Sequence, residues 1–230
     1  MDFIKMNYTG RIKDGQVFDT TDVETAKKEK IFDSRRVYKP LTVAVGQKQV
    51  IEGLDEELTS MKVGDKKTVT IPPEKAYGQK NLALVKLVPI KFFKQQNINP
   101  MPGLPVEIDG NHGRVQTVAG GRVRVDFNSD LAGKTLVFDV EVSEKAKDEQ
   151  EKLTYLIERN FEDAKGFDTK VTGKKVTIAL PKDAFHDRNI LIRKAAITAE
   201  AFKLLELTEV TFEEKWENPK NEEKKEEKKE

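Results

Sequence analysis

The stretch Lys134-Thr135-Leu136-Val137-Phe138-Asp139-Val140-Glu141-Val142 decides the architecture. Its alternation of apolar and polar side chains marks a strand with one buried face. Strands of the same texture fill the first 80 residues, while the segment from Ala83 to Phe127 reads differently. The first domain therefore resumes at this strand after an interruption, and an inserted module explains that order better than a linear array.

Upstream, Met6 to Ile12 reads as a strand, Asp14-Gly15 as a hairpin turn and Gln16-Val17-Phe18-Asp19 as the return. Leu41, Val43 and Val45 alternate after Pro40, and Val69 and Ile71 alternate with Thr68 and Thr70 after Lys66. Leu54, Leu58 and Met61 form a short helical stripe that stops at Gly64. An antiparallel sheet wrapped around one short helix follows.

Inside the interruption, Leu84, Val85, Leu87 and Val88 precede Phe92-Phe93, the loop Asn99-Pro100-Met101-Pro102-Gly103 and three short strand-like runs, with Gly120-Gly121 as a two-residue hairpin turn. Beyond the resumed strand, Leu153, Leu156, Ile157 and Phe161 mark a helix, Val176, Ile178 and Leu180 a strand, Arg193 to Leu205 a second helix and Val210 to Trp216 a last strand. The expected class is α+β. Residues 1–82 plus 129–143 form the first domain, 83–128 a small β-rich insert and 144–217 a C-terminal α+β domain. The tail 218–230 sets like charges at i,i+4 and is expected to be disordered.

The chain has 230 residues, with 41 Lys and Arg against 40 Asp and Glu, two His and no Cys. Absence of Cys removes disulfides, thiolate nucleophiles and Cys-ligated metals. Charge balance without a basic block argues against nucleic acid as a partner. The longest uncharged stretch, Gln95 to Val106, is too short for a membrane span, and Met1-Asp2-Phe3-Ile4-Lys5 does not open a secretory leader, so a cytoplasmic protein away from membranes is expected.

Local motifs for other chemistries fail. Gly133-Lys134-Thr135 looks like the end of a phosphate-binding loop, but Asn128 stands where that loop needs Gly. His112 and His186 are isolated from each other, with no metal-ligand spacing, so no metal and no cofactor is expected. What remains is a series of aromatic and aliphatic residues around turns. In order these are Tyr8-Thr9-Gly10, Gly15 to Phe18-Asp19, Val50-Ile51-Glu52-Gly53, Ala76-Tyr77-Gly78 and Phe138-Asp139-Val140-Glu141.

This ordered set resembles the FKBP-type peptidyl-prolyl isomerases, whose signature includes Tyr-x-Gly, Gly-x-x-Phe-Asp, Val-Ile-x-Gly, Ala-Tyr-Gly and a closing Phe-Asp-Val-Glu strand. The insert resembles the insert-in-flap domain of SlyD-like members, and the third module is similar in placement to that of the archaeal long-type FKBPs. The resemblance implies a pocket for proline lined by Tyr8, Phe18, Val50, Ile51, Tyr77 and Phe138. Asp19 would stand at its entrance, the Ile51 N–H would bond the substrate carbonyl and the Tyr77 hydroxyl would be a further donor. Two departures stand out: Leu54 replaces the Trp of many members at the pocket floor, and Leu41 replaces a Phe. A Leu floor widens the pocket and loses aromatic packing on the proline ring.

The chemistry implied needs no acid, base or metal. Amide resonance sets a rotation barrier of about 18–20 kcal/mol, and X-Pro bonds isomerise unaided in tens to hundreds of seconds. Twisting the amide reduces its charge separation, so an apolar cleft favours the twisted form, and each tenfold in rate needs about 1.4 kcal/mol of that preference. Phe92, Phe93, Ile98, Met101 and Leu104 of the insert are the expected surface for unfolded, proline-containing polypeptides, with Phe92 and Phe93 equally readable as the core of this small module. The competing reading is a holdase or assembly protein that keeps the pocket only as scaffolding. Leu153, Leu156, Ile157 and Phe161, with Ala196, Phe202 and Leu205, either close the small C-terminal core or pair with a second copy, and a homodimer through this module is expected.

Overall fold

A computed structural model describes residues 1–161 and 163–216; the charged tail expected to be disordered lies outside them. Strand β1 (Phe3–Ile12) turns through Asp14-Gly15 into β2 (Val17–Thr20). Helix α1 (Val23–Lys28), which carries no apolar stripe and was not anticipated, begins at Asp22, whose side chain accepts from Thr25 N at 2.7 Å. Strand β3 (Leu41–Ala44), helix α2 (Glu52–Leu58) and strand β4 (Lys66–Ile71) follow.

The chain then leaves this sheet. Strand β5 (Val85–Pro89) leads into helix α3 (Ile90–Gln95), and β6 (Pro105–Ile108), β7 (Asn111–Ala119) and β8 (Arg122–Asp126) complete a separate four-stranded sheet in the order β5-β8-β7-β6. Its core is Phe93, Val106, Val115, Val123 and Val125. Strand β9 (Leu136–Lys145) returns to the first sheet between β1 and β4, antiparallel to both, in the order β2-β1-β9-β4 with β3 pairing the other part of β1. The alternation read in the sequence is the burial of Leu136, Phe138, Val140 and Val142 against α2, whose Leu54 and Leu58 are 2% exposed.

The base of the insert is closed by Asp126, buried between the two bodies. It accepts from Gln116 Nε2 at 2.9 Å, from Asn128 N and Nδ2 at 2.9 and 2.7 Å, and from Lys80 Nζ at 3.1 Å. Burial disfavours its charge, yet the Asn128 N–H groups and the Lys80 ammonium outweigh that effect and hold its carboxyl at about 2.

Helix α4 (Glu149–Phe161), strands β10 (Asp168–Thr172) and β11 (Lys175–Ala179), helix α5 (Ile190–Leu205) and strand β12 (Glu209–Glu213) form the third body. Strand β12 runs parallel to β11, a pairing that needs a crossover, and α5 supplies it. Leu153, Leu156 and Ile157 are fully buried with Val176, Ile178 and Ile197, so this face of α4 is internal and cannot pair with a second copy. Phe3 and Ala44 of the first sheet lie in the same cluster, so the two bodies share a core.

Candidate active site

The site is built outward from Phe138. Its partner across β9 and β1 is Gly10, which has no side chain, and the ring of Phe18 occupies that space, edge-on to Phe138 with centroids 5.8 Å apart at 83°. A Cβ on Gly10 would stand 2.8 Å from both Phe138 Cε1 and Phe18 Cζ. The Gly of Tyr-x-Gly is therefore a packing requirement of the two phenylalanines. Tyr8, two residues earlier on the same face, tilts toward Phe138 at 6.0 Å.

Asp139 points to the other face. It accepts from Thr68 Oγ1 of β4 at 2.6 Å and from Arg11 Nη1 of β1, and the Thr68 hydroxyl, followed by the Arg11 guanidinium, holds its carboxyl below the usual range. Both neighbouring strands are thus clamped to β9 at the residue beside Phe138, which fixes the register of the aromatic cluster.

Asp19 follows Phe18 and is held by three donors. Tyr8 Oη donates at 2.5 Å, Thr20 N at 2.9 Å, and Arg36 Nη1 forms an ion pair with it. Burial, and next the carboxylate it bonds, push the Tyr8 hydroxyl well above the ordinary phenol value, so it stays protonated. Sequence reading missed Arg36, although the demand of a carboxylate beside Phe18 for a countercharge was the signal that could have found it.

Val50 and Ile51 pack on the same apolar cluster, as does Leu41, while Leu54 lies beneath it. The loop before α2 is tied down by Asp55, 6% exposed, which accepts Gly46 N at 2.8 Å and Lys48 N at 2.9 Å. Gly53 lets α2 approach β4, since a Cβ there would meet Ile71 Cγ2 at 2.6 Å. Ile51 precedes the first helical residue, and its N–H takes no protein acceptor among the described residues. Tyr77 differs from the rest: Ala76 packs on the cluster, but the Tyr77 side chain is 45% exposed in the turn after Pro73–Lys75.

The insert residues divide. Phe93 was expected at a client surface but is 1% exposed, because α3 turns it into the module's own core; it cannot touch a client while the module is folded. Phe92, Ile98 and Leu104 are partly buried against that core, and Met101 is 54% exposed. Leu82, Leu84 and Leu87, which follow the site along the chain, are exposed. Among the described residues no helix is long and apolar enough to cross a membrane, and no group of His, Cys, Asp and Glu could hold a metal ion.

Comparison with known proteins gives the family. Residues 86–131 match the family described as FKBP26, IF domain, and residues 149–217 the one described as FKBP26, C-terminal. A short-type peptidyl-prolyl cis-trans isomerase of Methanocaldococcus jannaschii is 37% identical over 150 residues, which is 65% of this chain and 95% of that protein. The chain belongs to the FKBP-type peptidyl-prolyl cis-trans isomerases.

This FKBP is also 39% identical to SlyD of Vibrio cholerae over 117 residues, 49% of this chain and 57% of the relative. A 16 kDa FKBP-type isomerase of Escherichia coli is 30% identical over 146 residues, 61% of this chain and 89% of the relative. The FKBP carries an insert-in-flap domain and a C-terminal domain, and it is a peptidyl-prolyl isomerase.

Proposed function

We propose that this FKBP isomerises X-Pro bonds by seating the proline on the Phe18–Phe138 pair and stabilising the twisted amide in that apolar setting. The observation that carries the reading is the T-shaped ring pair over Gly10, flanked by a carboxylate whose charge is already matched by Tyr8, Thr20 and Arg36. A matched carboxylate orders the rim without placing free charge against the amide. The Ile51 N–H is the donor for the substrate carbonyl, and Tyr77 meets the chain from the rim. Tetrapeptide isomerisation measured without a coupling protease tests the reading: Phe138→Ala should abolish turnover with the C-terminal domain still folded, and undiminished turnover would refute it.

The insert acts as a chaperone surface that holds extended polypeptide and passes its prolines to the pocket. Support comes from exposed Met101 and from exposed Leu82, Leu84 and Leu87, which lead along the chain from the pocket into the insert.

Two copies pair through α5. Ile192, Ala195, Ala199 and Phe202 are all exposed at i, i+3, i+7 and i+10, an apolar stripe on one face of a helix whose opposite side carries buried Ile197, Ala201 and Leu204.

A further inference from the structure

The loop that carries Arg36 is anchored to the C-terminal domain. Tyr38 organises this loop: its hydroxyl accepts from Asp33 N at 3.0 Å, its ring stacks on Phe32 at 5.5 Å, and the Arg36 guanidinium lies 5.3 Å over its face. The next residue, Lys39, donates from Nζ to the carbonyl of Glu158 at 2.7 Å. Glu158 is in the last turn of α4, where the helix dipole favours a cation and a lysine can bond a terminal carbonyl. Lys39 precedes Pro40, so its backbone is confined to extended conformations and the proline φ is fixed. A shift of the anchor is therefore passed to Tyr38 rather than absorbed beside it. Behind Tyr8, a cleft of about 200 Å3 is lined by Arg36, Lys39 and Leu41 from this loop and strand, and by Arg159 from α4. Helix α4 is itself fixed to the first sheet, because Lys5 Nζ of β1 reaches Glu158 Oε2 at 2.9 Å and lies 4.4 Å over the Tyr155 ring.

We infer that Lys39 is a positioning residue for isomerisation: it ties the end of α4 to the loop that aims Arg36 at Asp19, so the C-terminal domain sets the geometry of the proline pocket. This rests on the pocket reading above. A contiguous set of contacts of this kind modulates a distant site by roughly 2- to 30-fold.

The test is a mutant cycle on the full chain, read as kcat/KM for a proline tetrapeptide, with the melting temperature of each variant. Lys39→Met, which keeps the stem and removes the donor, should lower kcat/KM by about fivefold; Lys39→Arg should restore most of it. Arg36→Gln should lower the rate as well, and adding Lys39→Met to it should cause no further loss. A purely structural lysine would add its loss to that of Arg36→Gln. Normal rates for Lys39→Met, additive losses, or a loss in Lys39→Met without one in Arg36→Gln would each overturn the inference. Normal rates in both Arg36→Gln and Phe138→Ala would instead remove the pocket reading and the inference with it.

Discussion

Tyr8 and Asp19 are joined by a 2.5 Å hydrogen bond from the phenol to Oδ2, and the same carboxylate is closed from the other side by Arg36. Tyr8→Phe removes the donor and keeps the ring. Stability should fall by about 1.5 kcal/mol, the low end for a hydrogen bond to a charged group, and tetrapeptide turnover roughly tenfold, equivalent to about 1.4 kcal/mol. The raised phenol value means that the proton is held more tightly in the folded state. Its contribution to stability is complete below the unfolded tyrosine value of 10.0 and is lost as pH climbs toward the folded one. Melts between pH 8 and about 11 should show a decline that Tyr8→Phe reduces.

Gly10→Ala forces a methyl group against two rings that are 2.8 Å from where it would sit. One ring must leave its position, at a cost of about 1–3 kcal/mol. Turnover should fall further than the melting temperature alone predicts, and a variant with normal turnover would show that the ring pair does not contact substrate.

Acid should loosen the base of the insert. The Asp126 carboxyl is depressed from 3.8 to about 2, so its contribution is present above the unfolded value and disappears as pH falls through the folded one. The amount is about 2 kcal/mol. Thermal melts from pH 6 down to about 2 should be less pH-dependent in Asp126→Asn than in the parent.

Removal of residues 84–127 tests the insert. Phe127 N donates to Leu84 O at 3.0 Å, so the two ends of the excised segment are already adjacent and a short turn can join them. Catalysis of proline-limited refolding should drop at least about tenfold, within the range that tethering a client provides, while tetrapeptide turnover stays within about twofold. Equal losses would refute the chaperone assignment.

Ile192→Glu combined with Phe202→Glu places charge on the exposed stripe of α5. Sedimentation should show a dimer for the parent and a monomer for the variant; a monomeric parent would refute pairing through this helix.

Strand alternation was legible because each sheet buries one face: Leu136, Phe138, Val140 and Val142 face α2 as their spacing requires. The small helices were not. Helix α1 has a single buried residue, Ala26, and so no periodic stripe, while α3 is six residues long and its Phe92-Phe93 pair fits a strand as well as a helix. Nothing in the sequence therefore separated a client surface from the module's core for these two rings, and the structure puts Phe93 in the core. Of the site, the residues marked by Gly and aromatic motifs were visible, whereas Arg36 and Lys39 sit in a loop where only three-dimensional pairing gives them meaning.

Phe3 and Ala44 lie in the same apolar cluster as Leu153 and Ile197. Trimming the chain back to its catalytic body would leave a greasy scar on that sheet, and the stump would tend to clump for reasons unrelated to catalysis. An engineer wanting a minimal enzyme from this scaffold must first repaint Phe3 with a polar side chain.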